Sequence, residues 1–282
     1  MLCNITHAQT LPFYLESYTI PLNVKGAVVS RVMGRQGPLK DVRLIKDTSG
    51  LFNIAKSGQL ALNKRSSLAP GGVLQYEVTL QAGSDTPTFL LAKDEFIRNK
   101  VVAHRGAWKH TAGSQNSLTS LKEAIRLGCE GTEFDVWLTS DGQVALSHDP
   151  EIGGKKQEES TLADLQTVTL KNGDRVPTLE EYLQTGMTQP HTRLVLEIKP
   201  SRVSKERGQQ LAARAVAIVQ QPKAQAWIYY ISFDYDTCKK VMELDPYAKV
   251  AYLNGDKTPG ELQQDGIWGL DYNYNLYNND KQ

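Results

Sequence analysis

The chain has 282 residues, 40% of them hydrophobic and 22% charged, with Lys+Arg 32 against Asp+Glu 31. This describes an ordinary globular chain, long enough for one large domain or a small one beside a medium one. The near-zero net charge speaks against a nucleic-acid partner or a basic membrane-binding surface, and with no run of eighteen apolar residues no transmembrane helix is expected.

The opening "MLCNITHAQT" ends near an Ala-Gln that fits the stump of a signal peptide, although a basic region and a long apolar region are missing. On that reading the expected location is periplasmic or extracellular, with a cytoplasmic one left open. Cys3, Cys129 and Cys238 are too few for a disulfide framework and fit no metal spacing. They read as small buried hydrophobes, with one near the terminus.

From residue 1 to about 95 the chain alternates every second residue between turn signals. "SYTIPLNV", "GAVVSRVMG", "DVRLIKD", "GQLALNK" and "LQYEVTLQAG" read as short strands, punctuated by Gly50, Gly58, Gly71-Gly72 and Gly83. The pattern predicts a small all-β sandwich over residues 1–95. "SGQLALNKRSSL" followed by "LQYEVTLQAG" resembles a cadherin-type strand pair. Asn63-Lys64-Arg65 stands where that family's acidic calcium motif would be, so calcium bridging is not expected. The basic cluster here reads as a solvated loop.

From Lys100 onward strands alternate with helical patterns. "KVVAH" reads as a buried strand ahead of "SLTSLKEAIRLG", where Leu118, Leu121, Ala124 and Ile125 share a helical face that stops at Gly128. "GTEFDVWLTSDGQVALSHD" is two strands about an Asp-Gly turn. "TLEEYL" opens with a capping box, Thr178 with Glu181. "RLVLEIK" precedes a helix near Glu206 to Val219. "WIYYISF" leads into "DYDTCKKVMEL", which sets Tyr235, Cys238, Val241 and Met242 on one face. "KVAYLN" and "GIWGLDY" complete six parallel strands. Tyr229-Tyr230 and Tyr272 to Tyr274 read as core aromatics, and "LYNNDKQ" as a frayed tail. The predicted class is α/β: a (β/α) TIM-type barrel over residues 96–282, C-terminally incomplete at about six strands, behind the β-sandwich.

In such a barrel the C-terminal strand ends form one rim, where active sites are built. His104-Arg105 follows the first strand. Glu133 and Asp135 lie two apart on the second, sharing a face with Cα atoms roughly 7 Å apart. His148 ends the returning strand, and Glu197 with Lys199 ends the next. Three carboxylates supply hard oxygen ligands for one divalent cation, Mg²⁺ or Ca²⁺. Such an ion, Arg105 and Lys199 would together neutralise a phosphodiester, and two histidines can act as base and acid.

These residues lie in motifs that resemble the glycerophosphodiester phosphodiesterase family from about Val101 to Tyr272. The resemblance rests on "AHRG", "QNSLTSLKEAIRLG", "GTEFDVWLTSDGQVALSHD", "VPTLEEYL" and "LEIKP". It implies a barrel with an insertion after the second strand, here roughly Pro150 to Thr188. It also implies a metal-dependent hydrolase of lipid-derived glycerophosphodiesters, releasing glycerol phosphate and an alcohol. Carried over, Glu133, Asp135 and Glu197 are metal ligands, His104 and His148 the acid/base pair, and Arg105 and Lys199 the phosphate contacts. In two places the chain departs from the family pattern. Gln115-Asn116 stands where the family has Glu-Asn, and the last two barrel strands with their motifs are absent. The expectation is therefore a fragment of a longer protein, or a barrel whose open edge pairs with another subunit. Two rivals stand beside hydrolysis of a small glycerophosphodiester. One is a phospholipase-like activity, which would need an apolar lid. The other is a phosphate-recognising binding module, with the β domain docking to a surface or another protein.

Overall fold

The computed structural model describes residues 10–111 and 113–278. Cys3, His7, the Ala-Gln signal remnant and the last four residues of "LYNNDKQ" lie outside the described residues. Up to Lys93 the described chain is all β: β1 (Tyr14–Leu15), β2 (Thr19–Ile20), β3 (Val28–Gly34), β4 (Gly37–Pro38), β5 (Arg43–Asp47), β6 (Phe52–Ile54), β7 (Gln59–Leu62), β8 (Gln75–Gln81) and β9 (Thr88–Lys93). One sheet runs β1-β3-β7-β6 with β4 on β3; the other runs β2-β9-β8-β5. The β2–β9 pairing is parallel and the rest are antiparallel. The segments compared with a cadherin-type pair become β7 and β8, which lie in different sheets and do not pair. Strand β9, "TFLLAK", escapes the alternation rule because five of its six residues are buried, on both faces. A strand covered on both sides carries no polar stripe to read.

Six parallel strands follow in the expected order: β10 (Val102–Ala103), β11 (Gly131–Leu138), β15 (Arg193–Ile198), β16 (Ile228–Ser232), β17 (Val250–Tyr252) and β18 (Gly269–Leu270). The short β12 (Val144–Leu146) returns antiparallel on β11 through the Asp141-Gly142 turn. Between β12 and β15 come a hairpin, β13 (Glu151–Ile152) with β14 (Lys155–Lys156), a one-turn α2 (Leu162–Leu165) and α3 (Leu179–Gly186). Helix α1 (Leu118–Arg126) precedes β11. Helices α4 (Lys205–Gln220), α5 (Tyr235–Leu244) and α6 (Pro259–Gln264) alternate with the later strands, and α7 (Tyr274–Asn278) follows β18. Because α3 packs between α1 and α4, it belongs to the barrel's outer layer, and the family insertion is shorter than Pro150 to Thr188. The Thr178/Glu181 capping box forms as read.

Among the described residues, β10 and β18 each have one strand neighbour, so the barrel is open. This corrects one reading: Val101 and Val102 are half exposed rather than buried, since β10 is an edge strand. Tyr230 is core as expected, whereas Tyr274 stands 71% exposed. Cys129 and Cys238 are buried free thiols.

The β unit sits against the N-terminal ends of the barrel strands. Tyr14 Oη donates to Leu244 O (3.1 Å) and Tyr247 Oη to Gly34 O (3.0 Å), while Phe96 meets Trp227 edge-on at 6.2 Å. One hydrophobic core runs from Phe13 and Leu80 through Phe134 to Ile267. The opposite end of the barrel stays open for chemistry.

Candidate active site

Strand β10 ends in a tight turn that requires a glycine at its second left-handed position. Arg105 adopts φ 61° and Gly106 φ 79°, and Gly106 N donates to Ala103 O and Glu133 O. A Cβ on Gly106 would lie 2.3 Å from Ser120 Oγ and 2.9 Å from the Ser120 carbonyl carbon. Glycine is therefore required by conformation and by the approach of α1. The turn delivers the Arg105 amide to Glu133 Oε2 (2.7 Å) and leaves the His104 ring largely exposed, Nε2 3.8 Å from the same oxygen.

Strand β11 presents Glu133 and Asp135 on one face, and its register sets Asp135 directly beside Glu197 of β15. Carboxylate oxygens from all three lie within 4.8 Å of one another, and all three residues are buried. Like charges this close, out of water, resist ionisation. Burial first and the Asp135 charge second push Glu133 up to about 8, and the same two causes raise Glu197. Lys199 Nζ lies 2.8 Å from Glu197 Oε1 and 3.1 Å from Asp135 Oδ1. Burial pulls that ammonium down, but the two carboxylates outweigh it and hold it above its ordinary value.

Two buried polar atoms have no partner and bear on the site's chemistry, Glu133 Oε1 and Arg105 Nε, while Asp135 Oδ1 faces the Lys199 ammonium at 3.1 Å. Buried polar atoms are seldom left unpaired, so each of the two marks a place for something to bind. An orphaned Glu133 oxygen in an all-oxygen set of three carboxylates fits a hard divalent cation, with Glu133, Asp135 and Glu197 holding it. An orphaned guanidinium N–H beside them fits a phosphate oxygen. Asp135 is fixed by Asn116, whose Nδ2 donates to Oδ2 (2.8 Å) and whose Oδ1 accepts from the Asp135 amide (3.0 Å). Gln115 Oε1 accepts from Arg105 Nη1 at 3.0 Å. The amide thus keeps the contact a carboxylate would make without neutralising the arginine.

His148 follows β12, its Nδ1 2.8 Å from Asp149 Oδ1. It lines a pocket of about 410 Å³ that Asn116, Trp108, Ile152 and the run from Val168 to Lys171 also border. The structure thus gathers all seven residues singled out from the sequence at one end of the barrel. Sequence reasoning missed the anchoring role of Asn116 and the whole pocket wall. Asn116 carried a signal, because an Asn just ahead of a helix that also faces a strand carboxylate can hold it; the wall carried none.

Parallel strands with a buried carboxylate cluster at one end, and the imidazoles of His104 and His148 at that same end, fit an α/β-barrel hydrolase of phosphate esters. Residues 104–274 match the sequence profile described as the Glycerophosphoryl diester phosphodiesterase family. The chain belongs to that family. A solved glycerophosphodiester phosphodiesterase from Parabacteroides distasonis is 40% identical, with a TM-score of 0.62 over 66% of this chain and 77% of its own. A glycerophosphodiester phosphodiesterase of Caldanaerobacter subterraneus is 24% identical over 169 residues, which are 56% of this chain and 67% of that one. An Oleispira antarctica phosphodiesterase, solved with its product sn-glycerol-3-phosphate, shares the fold at 23% identity and a TM-score of 0.56, covering 62% of this chain and 75% of its own.

Proposed function

We propose that the protein hydrolyses glycerophosphodiesters to glycerol phosphate and an alcohol, with one divalent cation, Mg²⁺ or Ca²⁺, held by Glu133, Asp135 and Glu197. The observation that carries the reading is the buried cluster of three carboxylates, one Glu133 oxygen of which has no partner, beside an unpartnered guanidinium N–H. When bound, the cation supplies positive charge to the phosphoryl oxygens as negative charge builds on them. Arg105 Nε and the Lys199 ammonium hold the phosphate from the protein's side. His104, next to a metal ligand, takes the proton either from an attacking water or from the attacking glycerol hydroxyl, in which case a cyclic phosphate forms and a water then opens it to glycerol phosphate. His148 stands on the pocket side with Nδ1 engaged by Asp149, so its Nε2 is free to protonate the leaving alcohol's oxygen. The P–O bond to the nucleophile forms as the P–O bond to the alcohol breaks, and Asp149 fixes the orientation of the His148 ring through Nδ1.

The test is turnover of glycerophosphoglycerol by full-length protein with Mg²⁺, with Ca²⁺ and with chelator. Activity should require a metal. His104→Ala and His148→Ala should each lower kcat by about two to four decades. An aryl leaving group, which needs no protonation, should rescue only His148→Ala. Undiminished turnover in chelator by metal-free protein would overturn the metal assignment. Tight binding of metal and phosphate without any turnover would make the protein a recognition module instead.

A further inference from the structure

The pocket beside His148 has a composition that the reaction alone does not require. Its walls are Trp108, Ile152, Val168 and Leu170, with Ser114 and Thr169 supplying hydroxyls. Lys171 is the one Lys, Arg, Asp or Glu among the described residues that line it, and its side chain is exposed at the rim. No lining carboxylate is present to balance a cation, and Asp149 is engaged with His148 Nδ1. The one aromatic wall, Trp108, already has an ammonium near it, Lys109 Nζ at 5.6 Å from the ring centroid. A quaternary ammonium is held by several aromatic faces or by carboxylates, and this lining offers a single indole and no carboxylate.

We propose that this pocket takes the leaving alcohol and selects an uncharged alcohol, such as glycerol, over cationic amino-alcohols of the choline type. The inference rests on the proposed hydrolysis, because the alcohol enters the pocket only if His148 protonates its oxygen. Lys171 acts by its charge at the rim. The aliphatic walls accept the carbon skeleton, and the hydroxyls of Ser114 and Thr169 suit those of a polyol.

The experiment compares kcat/KM of the metal-loaded, full-length protein for glycerophosphoglycerol and glycerophosphocholine, in the wild type and in Lys171→Glu. Wild type should favour the glycerol ester by about fivefold or more. Replacing an exposed repulsive charge by an attractive one should shift the ratio toward choline by about three- to tenfold, less at high salt. Lys171 is exposed, so the variant should fold, and a salt-dependent change in the ratio of two substrates is not something a purely structural defect produces. Preference of the wild type for the choline ester, equal rates on both, or a ratio unmoved in Lys171→Glu would overturn the proposal and leave hydrolysis standing. Inertness toward both esters would overturn the hydrolytic reading, and this proposal with it.

Discussion

Asn116 spends both ends of its side-chain amide on one residue, holding the Asp135 carboxylate and the Asp135 amide together. It is buried and takes a left-handed φ of 52°, a conformation that asparagine tolerates better than most residues. Without it, Asp135 would keep its place on β11 but its carboxylate would be free to turn. Asn116→Ala should therefore weaken divalent-metal binding by about 10- to 100-fold, the usual cost of losing a group that orients a ligand. Calorimetric titration with Mg²⁺ or Ca²⁺ checks it, and an unchanged affinity would show that the strand alone fixes the carboxylate. Direct removal of a ligand charge, in Glu133→Gln or Asp135→Asn, should cost at least as much. At this scale the candidate site was largely legible in the sequence. His104, Arg105, Glu133, Asp135, His148, Glu197 and Lys199 sit at strand ends or two apart on a strand, and backbone periodicity alone brings such residues to one face. Asn116 was seen only as part of a departure from the family pattern, because its partner is 19 residues away and linked through tertiary packing.

The element that carries the site is a strand, a tight turn and the first turn of a helix. Gly106 joins the three: its amide ties to β10 and β11, and its missing side chain lets Ser120 of α1 approach. Gly106→Ala would combine a φ of 79° with a contact against the Ser120 backbone. The expected loss of stability is about 2 kcal/mol or more, with turnover falling further because Arg105 and Glu133 both hang on that turn. Thermal unfolding beside kinetics decides it; a variant with wild-type melting would mean that the turn relaxes freely. Elements with a strong period, such as α4 and the β11–β12 hairpin, could be read from the sequence. β9 could not, since a two-sided burial erases alternation, and β10 was misjudged because an open barrel exposes the apolar strand at its edge. Helix α6 was missed although Thr258, Pro259 and Glu261 form a capping box with proline at the first turn. Its six residues were too short to show a period.

Across the whole molecule the β unit and the barrel share one core, and their joint contains a buried acid. Asp245 is 3% exposed, and its charge bears on Tyr18 of the β unit and on Tyr230 of the barrel. Its side chain accepts from the Tyr247 amide, whose hydroxyl reaches Gly34 O. Burial pushes Asp245 up to about 6 from an ordinary 3.8, against the pull of backbone amides. Between those values the folded state holds more protons than the unfolded state, so this residue's contribution to stability falls as pH rises from about 4 to 6 and stays low above. The ionised joint costs about 3 kcal/mol at neutral pH. Asp245→Asn keeps the acceptor for Tyr247 and removes the charge. Its melting temperature should exceed that of the wild type by about 5 °C at pH 7, and the difference should vanish near pH 4. Because the joint belongs to both halves, the gain should move a single unfolding transition. Calorimetry over pH 4–8 tests both parts. A gain that persists at pH 4 would remove the titration argument, and two transitions, of which only one shifts, would show that the halves unfold apart.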